Sequence, residues 1–179
     1  HEDQIGYAKV LKQEKKDGKL FTTFKFVETA RNDKNKIVLS KEYTIEGNMG
    51  HFDALIVKFD NRFVMDGTER ALYLWRRVYG ENTPPTKGFD IEQEGSEPKR
   101  YEGLLGAPTA IDKILLKKDD TKRFWDAIWE LSTDQEKLSQ YGITAMWGNV
   151  VYKPLKPGLI YVFKITNAGG IIYETVPDI

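Results

Sequence analysis

The chain contains only two histidines, and no other side chains suit a metal site better. His1 carries both an α-amine and an imidazole, so its amine and Nδ1 can close one chelate ring. His51 would add a third nitrogen, and three such nitrogens suit Cu(II). Met49 and Asp53 flank His51 at alternate positions, and alternate side chains of an extended segment point to one side. The pattern therefore predicts a copper site formed by His1, His51 and Met49.

This arrangement resembles the histidine brace of copper monooxygenases and of periplasmic copper carriers. The resemblance rests on His1 and His51 and covers no other part of the chain. It implies a copper carrier or an oxidase. The disulfides frequent in the monooxygenases are missing, because the chain has no cysteine. The alternative is an accidental terminal histidine together with a histidine in a turn, in which case we expect no cofactor.

Aromatic side chains make up 12% of the chain and suggest a second kind of site. Tryptophan and tyrosine on a sheet surface can stack on sugars while their N–H or O–H groups stay in water. A carbohydrate-binding module is therefore a further hypothesis. The alternative is that these rings fill the core between sheet and helices. The candidate ligand-binding residues are Trp75, Tyr101, Trp125 and Trp129, and a wider set adds Tyr79, Trp147 and Tyr152.

Signatures of the common enzyme classes are missing from the sequence. Without cysteine there is no thiol nucleophile, no CxxC redox pair and no thiolate zinc site. The phosphate-binding and serine-hydrolase glycine motifs are also missing. Asp119 and Asp120 are typical of helix caps, and the acidic residues of 92–97 are typical of a solvated loop. We therefore interpret the chain as non-enzymatic.

Charge and hydropathy narrow the possible partners. The chain has 27 basic and 27 acidic side chains and a net charge of zero, so no overall field attracts nucleic acid. No apolar run approaches the roughly 20 residues that span a bilayer, so we expect no transmembrane segment. The chain begins at His1 rather than at methionine. We interpret this as a protein exported to the periplasm or the extracellular space after removal of a signal peptide.

Strands are predicted over about 5–79 and again over 143–176. Asp17-Gly18 and Asp66-Gly67 each separate two β-rich runs, and Asp-Gly favours a tight hairpin turn because glycine tolerates positive φ. The run 70–79 is compatible with either a helix or a strand. Its aromatic content and the preceding Asp-Gly favour a strand.

The middle of the chain separates these two groups of strands. Residues 80–103 contain four glycines and three prolines, which predicts one long exposed loop, with a short strand near 89–91, and loops of that length are often functional. The alternative is a packed, irregular crossover. Helices are predicted over about 108–141. They begin at Pro108, at Asp119 to Thr121 and at a capping box that starts with Thr133.

Strands in blocks, rather than strands alternating with helices, predict an antiparallel sheet. The sequence therefore predicts a single domain, 1–179, of the α+β class and dominated by β structure. Its sheet would form a sandwich or an open barrel, with two or three helices packed on one side. The predicted function is an exported, non-enzymatic domain that binds a partner protein, a small ligand or a glycan. A copper-binding protein is the main alternative.

Overall fold

Our computed structural model describes residues 2–31, 33–59, 71–91, 118–130, 134–166 and 168–179. These ranges hold nine strands, two α-helices and a short 3-10 turn at Pro85–Lys87. The strands are β1 Glu2–Lys16, β2 Lys19–Ala30, β3 Asp33–Glu46, β4 Met49–Phe59, β5 Ala71–Gly80, β6 Phe89–Asp90, β7 Ile143–Pro154, β8 Leu159–Thr166 and β9 Ile171–Pro177. The helices are α1 Lys118–Trp129 and α2 Gln135–Gln140.

The strands form two separate antiparallel sheets. The five-stranded sheet has the order β3-β2-β1-β8-β9, and the four-stranded sheet has the order β6-β5-β4-β7. The predicted β-dominated α+β class is confirmed. Because the two described sheets are not hydrogen-bonded to each other and share one core between their faces, the architecture is a sandwich.

An aromatic core fills the space between the two sheets. Phe26 of β2, Phe52 of β4 and Phe163 of β8 are fully buried, since alternate residues of each strand face inward. The ring centroids of Phe52 and Phe163 lie 4.9 Å apart. The ring of Trp75 from β5 meets Phe26 edge to face at 5.3 Å. Each fully buried side chain of this kind stabilises the fold by roughly 1.5–3 kcal/mol.

A second apolar core lies between the four-stranded sheet and the two helices. Leu55 of β4 and Leu74 of β5 are fully buried there against Ile128 of α1 and Leu138 of α2. The helices pack on one side of the sandwich, as the sequence predicts. Helix α2 is capped by Asp134, whose carboxylate accepts from the two backbone N–H groups of residues 136 and 137. The N-cap of this helix is therefore Asp134, whereas the sequence predicts Thr133. Thr133 itself lies outside the described residues.

The described part of the predicted loop is attached to the sheet at its end. Strand β6 pairs with β5, and the Ile91 N–H donates to the Arg76 carbonyl at 2.8 Å. The Ile91 side chain is buried in the aromatic core. Residues 81–90 are exposed or half-buried, and only Ile91 is buried. Up to residue 91 the segment is therefore an exposed loop that ends in a short strand, and Ile91 fixes it to the core. Residues 92–103 and the helix predicted from Pro108 lie outside the described residues.

Candidate functional site

The outer face of the four-stranded sheet is divided into a covered half and an open half. The helices cover Leu55 and Leu74. Farther along β4, the same strand face carries His51 and Asp53, and β5 and β7 place other side chains beside them. On the β7 side of this region Val150 is 43% exposed and Tyr152 is 64% exposed, whereas Asp53 of β4 is buried. We call this region the open half-face, and its members are His51, Asp53, Arg76, Arg77, Tyr79, Val150 and Tyr152.

Three rings form a row across the open half-face. The strand register sets His51 opposite Tyr79 of β5 and opposite Tyr152 of β7. The His51 and Tyr79 centroids lie 4.7 Å apart with an interplanar angle of 11°. The His51 and Tyr152 centroids lie 5.7 Å apart at 24°. Both faces of the imidazole are therefore occupied by tyrosine rings, so a planar ligand cannot stack on His51.

An ion pair lies next to this row. The Arg76 Nη2 donates to the Asp53 Oδ1 at 2.8 Å, and the two side chains are only 17% and 10% exposed. The pairing of β4 with β5 shifts register between Asp53 and Ala54. Gly148 provides the space for the guanidinium, since a Cβ at that position would lie 2.9 Å from the Arg76 Nη2.

Burial and charge both act on the Tyr79 phenol. Its pKa is raised above the ordinary value of 10.0, first by burial and second by the Asp53 carboxylate, and the nearby Arg77 and Arg76 guanidinium groups act in the opposite direction. At neutral pH the phenol is therefore protonated and can donate a hydrogen bond. The row offers a polar edge as well as apolar faces.

A groove continues from the open half-face to the side of the sandwich. It runs between the edge strands of the two sheets and has a volume of about 600 Å³. Ile172 and Tyr173 of β9 are 41% and 37% exposed. The Lys153 ammonium lies 4.6 Å from the centre of the Tyr173 ring. We call this feature the edge groove, and it is lined by Val150, Val151, Tyr152, Lys153, Pro154, Ile171, Ile172 and Tyr173.

The residues of the predicted aromatic ligand site lie in different parts of the structure. Trp75 is fully buried between the sheets, and Trp125 is buried in the helix-facing core. Trp129 is partly buried beside that second core, and Tyr101 lies outside the described residues. The five-stranded sheet covers the Trp75 ring, and the Trp125 ring packs between the helices and the four-stranded sheet. The structure therefore does not bring Trp75 and Trp125 together on a ligand surface.

The predicted metal ligands are only partly described. Met49, His51 and Asp53 alternate along β4, as the sequence predicts. The Asp53 carboxylate, however, pairs with Arg76. The His51 Nδ1 is buried and has no hydrogen-bond partner among the described residues. Within the described ranges there is no group of three or more histidine, cysteine or carboxylate side chains placed to hold a metal.

His1 lies outside the described residues, but the start of β1 does not. The Asp3 carboxylate accepts from the Arg31 Nε at 3.0 Å, and the Arg31 Nη1 donates to the Ala71 carbonyl. Ala71 lies opposite Lys58 at the far end of β4. At about 3.3 Å per residue, His51 is about 23 Å from Lys58 along the strand. The start of β1 and His51 therefore lie toward opposite ends of the sandwich.

No protein family, no curated protein and no solved structure matches the chain. In the parts of the chain that the structure describes, no helix is long and apolar enough to cross a bilayer.

The groove residues of β9 are the part of this site that sequence reasoning missed. Ile171, Ile172 and Tyr173 belong to a short apolar run that reads as an ordinary strand. The run has apolar residues at consecutive positions rather than strict alternation, which indicates apolar side chains on both faces of the strand. The sequence contains that signal, but it does not show that β9 lies beside β7 of the other sheet.

Proposed function

We propose that this chain is a non-enzymatic binding domain and that a segment of a partner protein occupies the edge groove. One observation carries the proposal: large apolar side chains from two different strands are exposed next to one another. They are Val150 and Tyr152 of β7 with Ile172 and Tyr173 of β9. Clusters of this kind on a protein surface mark interaction sites, whereas single exposed apolar residues are ordinary.

The shape of the groove favours a polypeptide over a compact ligand. Small-molecule sites usually enclose most of the ligand surface, whereas this groove is open along its length between two extended strands. An extended segment can pair with the backbone of an edge strand while its alternate side chains enter an apolar groove. The Lys153 ammonium and the Tyr152 phenol add polar contacts at the rim.

The competing functions have weaker support. A glycan site would need flat aromatic faces open to solvent. Trp75 and Trp125 are buried, and of the predicted aromatic residues only Tyr152 is largely exposed among those that the structure describes. A copper brace would need His51 near the N-terminus, and β1 starts at the other end of the sandwich. Export of the chain, which would determine where it meets its partner, stays a prediction.

The test is a selection of binders from a displayed library of random peptides against the purified protein. We expect the selected peptides to shift the backbone amide resonances of residues 150–154 and 171–173. Replacing Tyr152→Ser or Ile172→Ser removes an apolar contact and should weaken binding by about tenfold or more. The matched control is Ile37→Ser, because Ile37 is 56% exposed on β3, at the opposite side of the sandwich.

The peptides should bind the Ile37→Ser variant as tightly as the unchanged protein. Selected peptides that bind both groove variants with full affinity would place the site elsewhere. A selection that yields no binder above background would contradict the proposed function.

A further inference from the structure

Strand β7 is an edge strand without the usual protection. It has 12 residues, of which Lys153 is the only charged one. Its pairing with β4 runs from Met49–Pro154 to Lys58–Ala145 without a shift of register, and the one shift lies at the start of the strand, before Phe59–Ile143. Among the described strands none pairs with its other side. The backbone N–H and C=O groups of a long, regular strand are therefore available there for pairing.

The other edges of the two sheets differ from β7. Strand β3 carries six charged residues among its 14, and charged side chains discourage a further strand from adding to an edge. Strand β9 has only seven residues, with an acidic Glu174 at its centre. Strand β6 has only two residues. Of the described edges, β7 alone combines length, regularity and a nearly complete lack of charge.

We infer that β7 pairs with β7 of a second copy of this chain, so that the two four-stranded sheets join into one. This inference rests on the proposed function, because it names a second copy as the partner at the edge groove. Two copies related by a two-fold axis present the same strand to each other in antiparallel orientation. Because the net charge of the chain is zero, no overall repulsion opposes the pairing.

The alternation of side chains limits the possible registers. Val150 and Tyr152 face outward, and a two-fold axis perpendicular to the sheet keeps outward residues opposite outward residues. The two strands therefore overlap most completely when Gly148 lies opposite Gly148 of the other copy, or Asn149 opposite Asn149 of the other copy. In both registers the two Lys153 side chains lie at opposite ends of the joined strands, so like charges do not meet. Val150 and Tyr152 of each copy then lie beside uncharged residues of the other copy.

Asn149 offers a direct test, since its two copies lie close to the axis in either register. Asn149 is half-buried on β7 and does not line the edge groove. Asn149→Lys would place two positive charges near each other, and Asn149→Asp would place two negative charges there. We expect each variant alone to dimerise at least about tenfold more weakly. An equal mixture of the two variants should recover dimers, because opposite charges then meet across the axis.

The readout is sedimentation equilibrium of the unchanged protein, of each variant and of the mixture over a range of concentrations. Ile37→Lys on the β3 edge is the control and should leave the dimer unchanged. Hydrogen exchange of the unchanged protein gives a second readout that needs no variant. The β7 amides that do not donate to β4 should become less protected when dilution separates the copies, while the β2 amides keep their protection.

Three results would overturn the inference. They are a protein that stays monomeric at every concentration, a dimer that both Asn149 variants leave intact, and β7 protection that dilution does not change. If the selected peptides still bind the groove of a monomeric protein, the proposed function stands and the partner is a strand of a different protein. If the protein dimerises through β7 but no peptide binds, the homotypic contact stands without the wider peptide-binding role.

Discussion

At the scale of single residues, the Arg76–Asp53 pair has the strongest consequence for the open half-face. Its two charges are mostly buried and 2.8 Å apart. Such a pair contributes little net stability compared with apolar residues of the same shape, but the loss of one partner leaves the other charge buried and uncompensated. The pair also bears on the Tyr79 phenol, because Asp53 raises its pKa. One contact therefore affects both the stability and the titration of the site.

Removal of either charge alone should destabilise the protein more than removal of both. We expect Arg76→Met to lower the free energy of unfolding by about 2–4 kcal/mol, because the Asp53 carboxylate then loses its partner. The double variant with Asp53→Asn should recover part of this loss. Urea unfolding of the two single variants and the double variant measures the coupling. Additive losses would mean that the two side chains do not act as a pair.

The Tyr79 phenol should titrate at higher pH than an ordinary tyrosine. Burial and Asp53 raise its pKa above 10.0. Because the folded pKa is the higher one, the phenol contributes stability below about pH 10, and this contribution is lost as the pH rises through the folded pKa. Tyr79→Phe should therefore flatten the alkaline loss of stability.

Phenolate absorbance, taken as the difference between the unchanged protein and Tyr79→Phe, reports this titration. Asp53→Asn should bring the Tyr79 pKa closer to 10.0. The control Glu174→Gln changes a carboxylate on the other sheet and should not move it. If Tyr79 titrates at the same pH in Asp53→Asn as in the unchanged protein, the Asp53 carboxylate does not contribute to the raised pKa.

At the scale of elements, two turns explain how the edge groove is formed. The Tyr161 phenol of β8 donates to the Pro154 carbonyl at 3.0 Å and accepts from the Lys156 N–H at 2.8 Å. These bonds order the turn after β7. The turn between β8 and β9 packs inward, where Gly169 meets Ile56, Ala71 and Trp147 from the four-stranded sheet. The two turns hold β9 beside β7 although the strands belong to different sheets.

Gly169 should tolerate substitution less well than another glycine of similar conformation. Its φ is +93°, and an added Cβ would lie 2.8 Å from the Ile56 Cγ2. Gly158 has a φ of +83° but no atom within 4 Å of an added Cβ. Gly158→Ala should therefore cost only the backbone strain, about 1 kcal/mol, and Gly169→Ala should cost about 1–3 kcal/mol more. Thermal unfolding measures the stability of the two variants. Equal losses of stability would show that the Ile56 side chain moves aside without cost.

At the scale of the whole molecule, two cores share one sheet. The inner face of the four-stranded sheet packs on the five-stranded sheet, and part of its outer face packs on the helices. The helices cover only the half of that outer face around Leu55 and Leu74. In the remaining half, Asp53 and Arg76 are mostly buried, whereas Val150 and Tyr152 on β7 are exposed. Partners can therefore reach this face at β7. The long strands also separate the start of β1 from His51.

That separation leads to a prediction about copper. With His1 as the true terminus, its amine and imidazole can bind Cu(II) without help from the rest of the chain. We expect His51→Ala to change the Cu(II) affinity by less than about threefold, since β1 begins at the opposite end of the sandwich from His51. A Cu(II) titration followed by EPR measures this. A loss of more than about tenfold in His51→Ala would restore the histidine brace.

Local signals in the sequence determined the elements of this protein. Asp17 and Gly18 have φ values of 51° and 77°, as the Asp-Gly hairpin signal predicts, because a turn depends on its own residues. The blocks of strands identified the fold class, and the aromatic pattern identified 71–80 as a strand. Tertiary structure alone decided which residues meet. The register of β4 with β7 joins His51 to Tyr152, and burial of Trp75 depends on a second sheet that lies far away in the sequence. Such pairings follow from the packing of whole faces, and no local pattern encodes them.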